Sequence, residues 1–267
     1  MTDRVKLSPT SEKIKKLAVA LFMLGVFVFS FVQLDLNLAQ FADRLVNNTS
    51  RVVAMFTAFE PSVLPEAIGQ MVISLALATA ALFVGFWISI ALAFLAASNT
   101  TPNKILAAFI KAFMAIIRAV PSLVWLLMIV ASIGFGNTAG MVGLLLSTCG
   151  YLVKSFAASI EEKGNETIEA LRATGASWLS IMIKGVLPGV MSPFLSWSSI
   201  RFEANISESI GLGIVGVGGI GALLMRHIRS NNFGSIMAVL SVIFVVLLIV
   251  EILSIILRRR INMRPTN

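Results

Sequence analysis

Long uncharged runs of apolar residues dominate this chain, and short polar stretches separate them. A helix rises about 1.5 Å per residue, so about 20 apolar residues cross a hydrocarbon core roughly 30 Å thick. The run at 119–153 is too long for one helix, and Gly134, Gly136 and Gly140 predict a hairpin inside it. The six predicted transmembrane helices are residues 17–34, 67–97, the two halves of 119–153, a helix beginning near Pro188, and 233–257.

The composition favours a membrane protein. Of 267 residues, 57% are hydrophobic and 13% are charged, whereas a soluble domain needs more polar surface around its core. We therefore expect an all-α polytopic membrane protein. The net charge of +8 would favour nucleic-acid binding in a soluble protein, but here the cations cluster at span ends, so we expect no nucleic-acid partner.

The sequence contains few of the residues that enzyme catalysis commonly uses. Cys149 is the only cysteine and His227 the only histidine, which excludes an internal disulfide and a cysteine metal cluster. We find neither a nucleophile–base pair nor a G-x4-G-K-[ST] phosphate-binding loop. We expect no catalytic residue, metal or cofactor in this chain.

Basic residues orient the predicted spans, because cytoplasmic loops carry an excess of lysine and arginine. They precede the first span at Arg4, Lys6, Lys13, Lys15 and Lys16, and they follow the last at Arg258, Arg259, Arg260 and Arg264. Both termini are therefore predicted to be cytoplasmic. The first apolar run has no small-residue cleavage pattern, which favours an anchor over a signal peptide. The predicted organisation is a tail, first span and external loop at 1–66, a transmembrane core at 67–257, and a basic tail at 258–267.

Residues 103–118 form a separate amphipathic segment. Lys104, Lys111 and Arg118 are seven residues apart and share one helix face, while apolar residues cover the rest. This pattern predicts a helix along the cytoplasmic interface with its cations facing headgroups. A simple basic flank of the third span is the alternative.

The segment 161–188 is a polar insert between apolar runs. Asn165 is predicted to cap a short helix, and Gly175 to end it in a left-handed conformation. A second short helix at 176–184 then leads to Leu187, Pro188 and the fifth span. Two short helices around a glycine elbow predict a compact knob that seats in a partner's groove; an ordinary cytoplasmic loop is the alternative.

Polar residues also occur inside the fifth span. Ser198, Arg201, Asn205 and Glu208 are spaced by three, four and three residues, which predicts one helix stripe that begins about 15 Å past Pro188. Charges at that depth are costly and indicate a translocation path or a protein interface. The alternative is that the span ends near Ile200 and these groups are hydrated.

Glycines crowd residues 211–221. Part of the segment matches a dinucleotide fingerprint, but the strand–turn–helix context is missing. In a membrane protein such glycines indicate close helix packing or a break at a gate. The gate or packing candidates are Gly213, Gly216, Gly218, Gly219 and Gly221.

Several of these segments resemble the phosphonate ABC transporter permease family. The resemblance covers about residues 67–257 and rests on RAVPSLVW at 118–125, EALRATGAS at 169–177, RFEAN at 201–205 and the glycines that follow. It implies the type I ABC importer permease fold, a prokaryotic cell-membrane location, and an EAA loop that couples the chain to an ATPase through Glu169, Ala170, Gly175, Leu187 and Pro188. The implied partners are two ABC ATPase subunits that bind ATP and Mg, a second permease chain, the same or homologous, and an extracytoplasmic binding protein that delivers a phosphonate or related phosphorus oxyanion.

The sequence departs from that family pattern at three positions. Ser207 and Ile210 stand where arginine and threonine are common, and Gly185 replaces an aliphatic residue. These differences leave the substrate open, with another small solute such as methionine as an alternative. A stand-alone secondary transporter that uses Arg201, Glu203 and Glu208 as coupling groups is the alternative from another class.

Overall fold

The computed structural model describes residues 10–34, 37–50, 53 and 57–262, and the regular secondary structure within these ranges is helical. The chain divides into two compact units, Met1–Val53 and Ala54–Asn267. The cations Arg4, Lys6 and Arg264 lie outside the described residues. The sequence-based boundaries at 66 and 257 stay predictions.

The first unit contains helices α1 (Thr10–Gln33) and α2 (Leu38–Asn47). Segment Glu12–Gln33 of α1 is long and apolar enough to cross a membrane, as the first apolar run predicts. Helix α2 begins after Asn37, whose side chain accepts a hydrogen bond from the Gln40 backbone N–H at 3.0 Å.

The second unit is a bundle of long and short helices. In chain order they are α3 (Leu64–Ala96), α4 (Lys104–Ala119), α5 (Ser122–Ile133), α6 (Asn137–Glu162), α7 (Glu166–Ala173), α8 (Trp178–Ser180), α9 (Leu187–Ile214), α10 (Gly219–Arg229) and α11 (Phe233–Asn262). The segments long and apolar enough to span are Pro61–Ala96, Asn137–Glu162, Trp178–Ile214 and Phe233–Ile261.

The predicted third span corresponds to the short helix α5, which follows the separate helix predicted at 103–118. Helix α5 has 12 residues, about 18 Å, which is too short to cross a bilayer by itself. It meets α4 at an angle of 90°. Pro121 explains the bend, because a proline disfavours helical backbone at the residue before it, and Val120 is extended with ψ 125°. The pair α4 and α5 counts as a sixth span only if both helices are taken together.

Helices α3, α6 and α9 pack together at the centre of the second unit. Gly85 of α3 makes room for Thr148 of α6, since a Cβ at Gly85 would lie 2.7 Å from Thr148 Cγ2. Phe156 of α6 stacks on Phe194 of α9 with ring centroids 3.9 Å apart. These contacts hold α6 close to both neighbours and set the register of their polar side chains.

A polar clamp joins the beginning of α3 to the beginning of α11. Glu60 Oε2 accepts hydrogen bonds from Ser235 Oγ at 2.6 Å and Asn232 Nδ2 at 3.1 Å, and Oε1 accepts one from Ser62 Oγ at 3.1 Å. Donors to the ionised carboxylate, Ser235 foremost, lower the pKa of Glu60.

Candidate translocation and coupling sites

Helix α9 carries the predicted polar stripe and continues through it to Ile214. Arg201 is 6% exposed and Asn205 is fully buried. The alternative in which the span ends near Ile200 and leaves these groups hydrated is therefore wrong for this structure. Ser198 stands apart from the others, because its hydroxyl donates to Phe194 O at 2.7 Å within α9.

Arg201 is held by four groups. Its Nη2 lies 2.9 Å from Glu208 Oε1 and donates to Ser147 Oγ at 2.9 Å, and its Nε donates to Thr148 Oγ1 at 3.4 Å. Its guanidinium also lies over the Tyr151 ring, 5.9 Å from the centroid. The two charges are thus paired at depth, as a buried cation requires.

Asn205 ties the same network to a third helix. Its Oδ1 lies 3.0 Å from Thr148 Oγ1, and its Nδ2 donates to Ala78 O of α3 at 3.4 Å. The Thr148 hydroxyl is also 2.7 Å from Leu144 O, so its single proton serves one of two acceptors. The three helices α3, α6 and α9 therefore meet at one polar centre.

The α6 half of this centre was not predicted from the sequence. Ser147, Thr148 and Tyr151 lie in a run without charges, so a hydropathy profile does not distinguish them from their apolar neighbours. The detectable signal was an adjacent serine and threonine followed by the only tyrosine of the chain, all within about one helical turn.

Glu203 faces away from the network, toward α11. Its Oε1 lies 3.3 Å from Arg258 Nη2, with both side chains about one quarter exposed. This pair joins two helices by an ion pair that is separate from Arg201. Within the described residues, Glu208 Oε2 is buried without a hydrogen-bond donor.

The glycine segment makes the turn between α9 and α10. Gly216, Gly218 and Gly219 have φ values of 107°, 117° and 71°, a region that other residues rarely adopt. A Cβ at Gly213 would lie 2.5 Å from Gly218 O, and one at Gly221 would collide with the Ile210 carbonyl. The structure thus contains both a helix break and close backbone packing, while a role in gating stays a prediction.

The predicted glycine elbow of the coupling loop has the geometry of a Schellman turn. Gly175 has φ 77°, its N–H donates to Arg172 O at 3.0 Å, and the Ala176 N–H donates to Leu171 O at 3.4 Å. The left-handed end of α7 predicted at Gly175 is confirmed. The predicted side-chain cap by Asn165 is wrong: its backbone is already helical and its side chain makes no capping bond.

The second part of the coupling loop differs from the predicted short helix at 176–184. Ser177 caps α8, which passes through a π-helical turn (Ile181–Val186) directly into α9. Pro188 explains the wider turn, because its ring would collide with the carbonyl four residues earlier in a regular α-helix. Leu187 and Pro188 therefore begin α9, and Trp178–Ile214 forms one long segment.

Polar contacts anchor the coupling loop to the rest of the second unit. Trp178 Nε1 donates to Thr100 O at 2.7 Å, and Asn99 Nδ2 donates to Gly164 O at 3.3 Å. Gly185 has no Cβ, which leaves space for the Leu171 side chain. Glu169 and Ala170 remain exposed on α7, free of these internal contacts.

These features define a helical membrane protein with a charged network at the centre of its bundle and a structured loop before its helix α9. The fold agrees with the methionine ABC transporter MetNI in its inward-facing conformation: TM-score 0.67 and 21% identity, over 76% of this chain and 99% of that chain. An amino acid ABC transporter gives a TM-score of 0.62 at 20% identity, over 74% of this chain and 95% of that chain.

The chain belongs to the family described as binding-protein-dependent transport system inner membrane component, which matches residues 89–264. It is 33% identical to the phosphate-import permease protein PhnE of Mycolicibacterium smegmatis, over 98% of this chain and 49% of that protein. The phosphite transport system permease protein PtxC of Stutzerimonas stutzeri is 33% identical, over 72% of this chain and 70% of that protein. The chain thus spans about half the length of the mycobacterial relative, and the ABC importer permease fold expected from the sequence is confirmed.

Proposed function

We propose that this chain is the transmembrane permease subunit of an ATP-driven importer for a phosphorus oxyanion such as a phosphonate, phosphite or phosphate. The observation that carries the substrate class is the 33% identity to relatives named for phosphate import and phosphite transport. The partners are two ATPase subunits that hold ATP and Mg, a second permease chain, and an extracytoplasmic binding protein that delivers the substrate.

The Arg201 network fits the passage of an anion without tight binding. Arg201 supplies a buried cation, and Glu208 compensates it at 2.9 Å. A compensated cation attracts a passing anion less than a free one does, so release is not slowed by a deep energy well. Selectivity then belongs mainly to the binding protein. In this proposal Ser198, Arg201, Asn205 and Glu208 line the path.

The coupling loop receives the movement of the ATPase. Glu169 and Ala170 are exposed for docking, Gly175 fixes the turn, and Leu187 with Pro188 leads the movement into α9. This orientation puts the loop and both termini on the cytoplasmic side. A cysteine introduced by Ser177→Cys should react with an impermeant thiol reagent from the cytoplasmic side of inside-out vesicles. Labelling from the external side alone would contradict the cytoplasmic placement of the loop.

Reconstitution tests the function directly. The chain is purified with the ATPase and the binding protein encoded beside it and placed in proteoliposomes with internal ATP. We expect uptake of at least one of phosphate, phosphite or methylphosphonate, and no uptake with an ATPase that cannot hydrolyse ATP. Uptake of methionine alone would overturn the substrate class. Uptake without the ATPase would favour a secondary transporter.

A further inference from the structure

A cavity of about 270 Å³ lies between α4 and α6, in addition to the centre around Arg201. Its wall carries the cations Lys111, Arg118 and Lys154, together with the carboxylate of Glu161. Its floor is apolar and includes Met114 and Ala157, which are buried. Apolar walls strengthen the field of nearby charges, because they hold water away from them.

The charges in this cavity do not cancel. Lys111 Nζ lies 2.7 Å from Glu161 Oε1, and the same oxygen accepts the Ser98 backbone N–H at 2.7 Å, so this carboxylate is already engaged. Arg118 and Lys154 have no ion-pair partner among the described residues. The cavity therefore presents two cations without an ion-pair partner, whereas Nη2 and Nε of Arg201 are engaged by Glu208, Ser147 and Thr148.

The cavity adjoins the Arg201 centre along one side of α6. Ser147, Tyr151, Lys154 and Ala158 are spaced by four, three and four residues, so they share a helix face, and all four are accessible. Tyr151, which lies under the Arg201 guanidinium, precedes Lys154 by three residues, a rise of about 4.5 Å. The cavity thus begins within one helical turn of the buried ion pair, on the side that leads to the coupling loop.

We infer that this basic cavity is a second anion site, which receives a phosphorus oxyanion after it passes Arg201 and holds it weakly before release. The inference rests on the proposed function for the identity of the anion. Two free cations against an apolar floor suit a compact tetrahedral oxyanion, which accepts hydrogen bonds on several oxygens at once. A phosphate group has the same chemistry whether it is a free ion or a lipid headgroup, so the test separates these two sources.

The local field of the cavity is measurable without transport. Ala158 lines the cavity and is exposed, so Ala158→Cys places a reactive thiol inside it, while Cys149 is buried. The purified permease in nanodiscs is treated with an anionic sulfonate methanethiosulfonate or its cationic trimethylammonium analogue. Relative to the ratio of the two rates for a small thiol in solution, the two cations should favour the anionic reagent by roughly tenfold. The parent chain without Ala158→Cys measures any background from Cys149.

Charge variants identify the source of that preference. Arg118→Gln combined with Lys154→Gln should remove it. Lys104→Gln should leave it unchanged, because Lys104 is on the same helix but does not line the cavity. A rate ratio for Ala158→Cys that equals the ratio for a small thiol in solution, or a preference that survives the double substitution, would overturn the inference. Coelution of every variant with the parent protein on gel filtration shows that the fold is intact.

Protection experiments then separate the two anion sources. In nanodiscs of pure phosphatidylcholine, millimolar phosphite or inorganic phosphate should slow the anionic reagent at least twofold relative to chloride at equal ionic strength. Protection that needs phosphatidylglycerol and ignores added phosphite would overturn the role in transport and assign the anion site to a lipid headgroup. If no phosphorus oxyanion is taken up by the whole importer while the reagent preference persists, the proposed function fails and the anion site stands. Normal uptake with no reagent preference rejects the site alone.

Discussion

Removing either charge of the Arg201–Glu208 ion pair should destabilise the protein. Removing both charges should cost less free energy of unfolding than the sum of the two single losses. Glu208→Gln leaves the Arg201 charge buried without a carboxylate, beside the hydroxyls of Ser147 and Thr148 and the Tyr151 ring. Removing one member of a buried pair costs about 3–5 kcal/mol. The Glu208 side chain is 25% exposed, so water compensates part of the loss and we expect about 3 kcal/mol.

Substitution of the arginine should reduce the free energy of unfolding by a smaller amount. Arg201→Gln leaves a glutamate whose side chain is 25% exposed, compared with 8% for the Arg201 side chain, and we expect a loss of about 2 kcal/mol. The double variant removes both charges, so its loss should be about 2 kcal/mol rather than the sum of about 5 kcal/mol. Thermal unfolding of the detergent-purified chain, followed by tryptophan fluorescence, measures this cycle. Additive losses would mean that the two side chains do not interact as the structure has them.

Transport in the same variants separates a structural role from a role in the path. If Arg201 only stabilises the bundle, uptake should follow stability, so the double variant should transport better than Glu208→Gln. If Arg201 attracts the anion, the double variant is more stable than Glu208→Gln and still fails to transport, which is our expectation. Glu203→Gln is the matched control, because it breaks a pair between α9 and Arg258 away from the network. It should lower stability by about 1 kcal/mol or less and leave uptake near the parent level.

Three further expectations concern the coupling loop, the glycine turn and the Glu60 clamp. Gly175→Val should abolish uptake while the protein still inserts, since φ 77° strains a β-branched residue by about 1–2 kcal/mol. Asparagine tolerates this backbone conformation, so Gly175→Asn should retain most uptake. Equal uptake in both variants would contradict the role of the turn. Gly221→Ala should lower the unfolding temperature by several degrees, because its Cβ would meet backbone atoms of Ile210, whereas Gly211→Ala meets nothing within 4 Å and should be neutral or slightly stabilising; the same unfolding temperature for both would refute the close packing. Because the pKa of Glu60 is lowered, its clamp stabilises the fold above the ordinary carboxyl range and loses this effect as pH falls through the lowered pKa. When the free energy of unfolding is measured against pH, Glu60→Gln should therefore reduce the loss of stability at acid pH. An unchanged loss at acid pH would exclude the clamp as its cause.

Hydropathy and local backbone rules predicted most of the architecture. The apolar runs correspond to α1, α3, α6, α9 and α11, because a membrane span is a property of one segment and its composition. The Gly175 turn was also predictable, since only a local left-handed residue is needed to end α7. The 90° bend at Pro121 agrees with the amphipathic pattern of 103–118, which predicts a helix in the plane of the membrane interface before the third span.

The polar centre was only half predictable for a physical reason. The spacing of Arg201, Asn205 and Glu208 follows from one helix, so the sequence places them on a common face. Their partners Ser147 and Thr148 belong to another helix, and the register between α6 and α9 is set by packing, including the Phe156–Phe194 stack. Spacing along one helix contains no information about that register.

The continuity of α8 and α9 constrains how the coupling loop could act on the charged centre. Trp178 and Arg201 are separated by 23 residues of one helical segment, about 35 Å along its axis. Trp178 is fixed to Thr100 at one end, and Arg201 is fixed to α6 at the other. A displacement of the loop must therefore either move α9 against α6 or be absorbed where the helix is weakest, at the π turn or at Pro193. Since the π turn packs against Leu171 through Gly185, α7 supports the π turn from the side, so a displacement would either bend α9 at Pro193 or move α9 against α6.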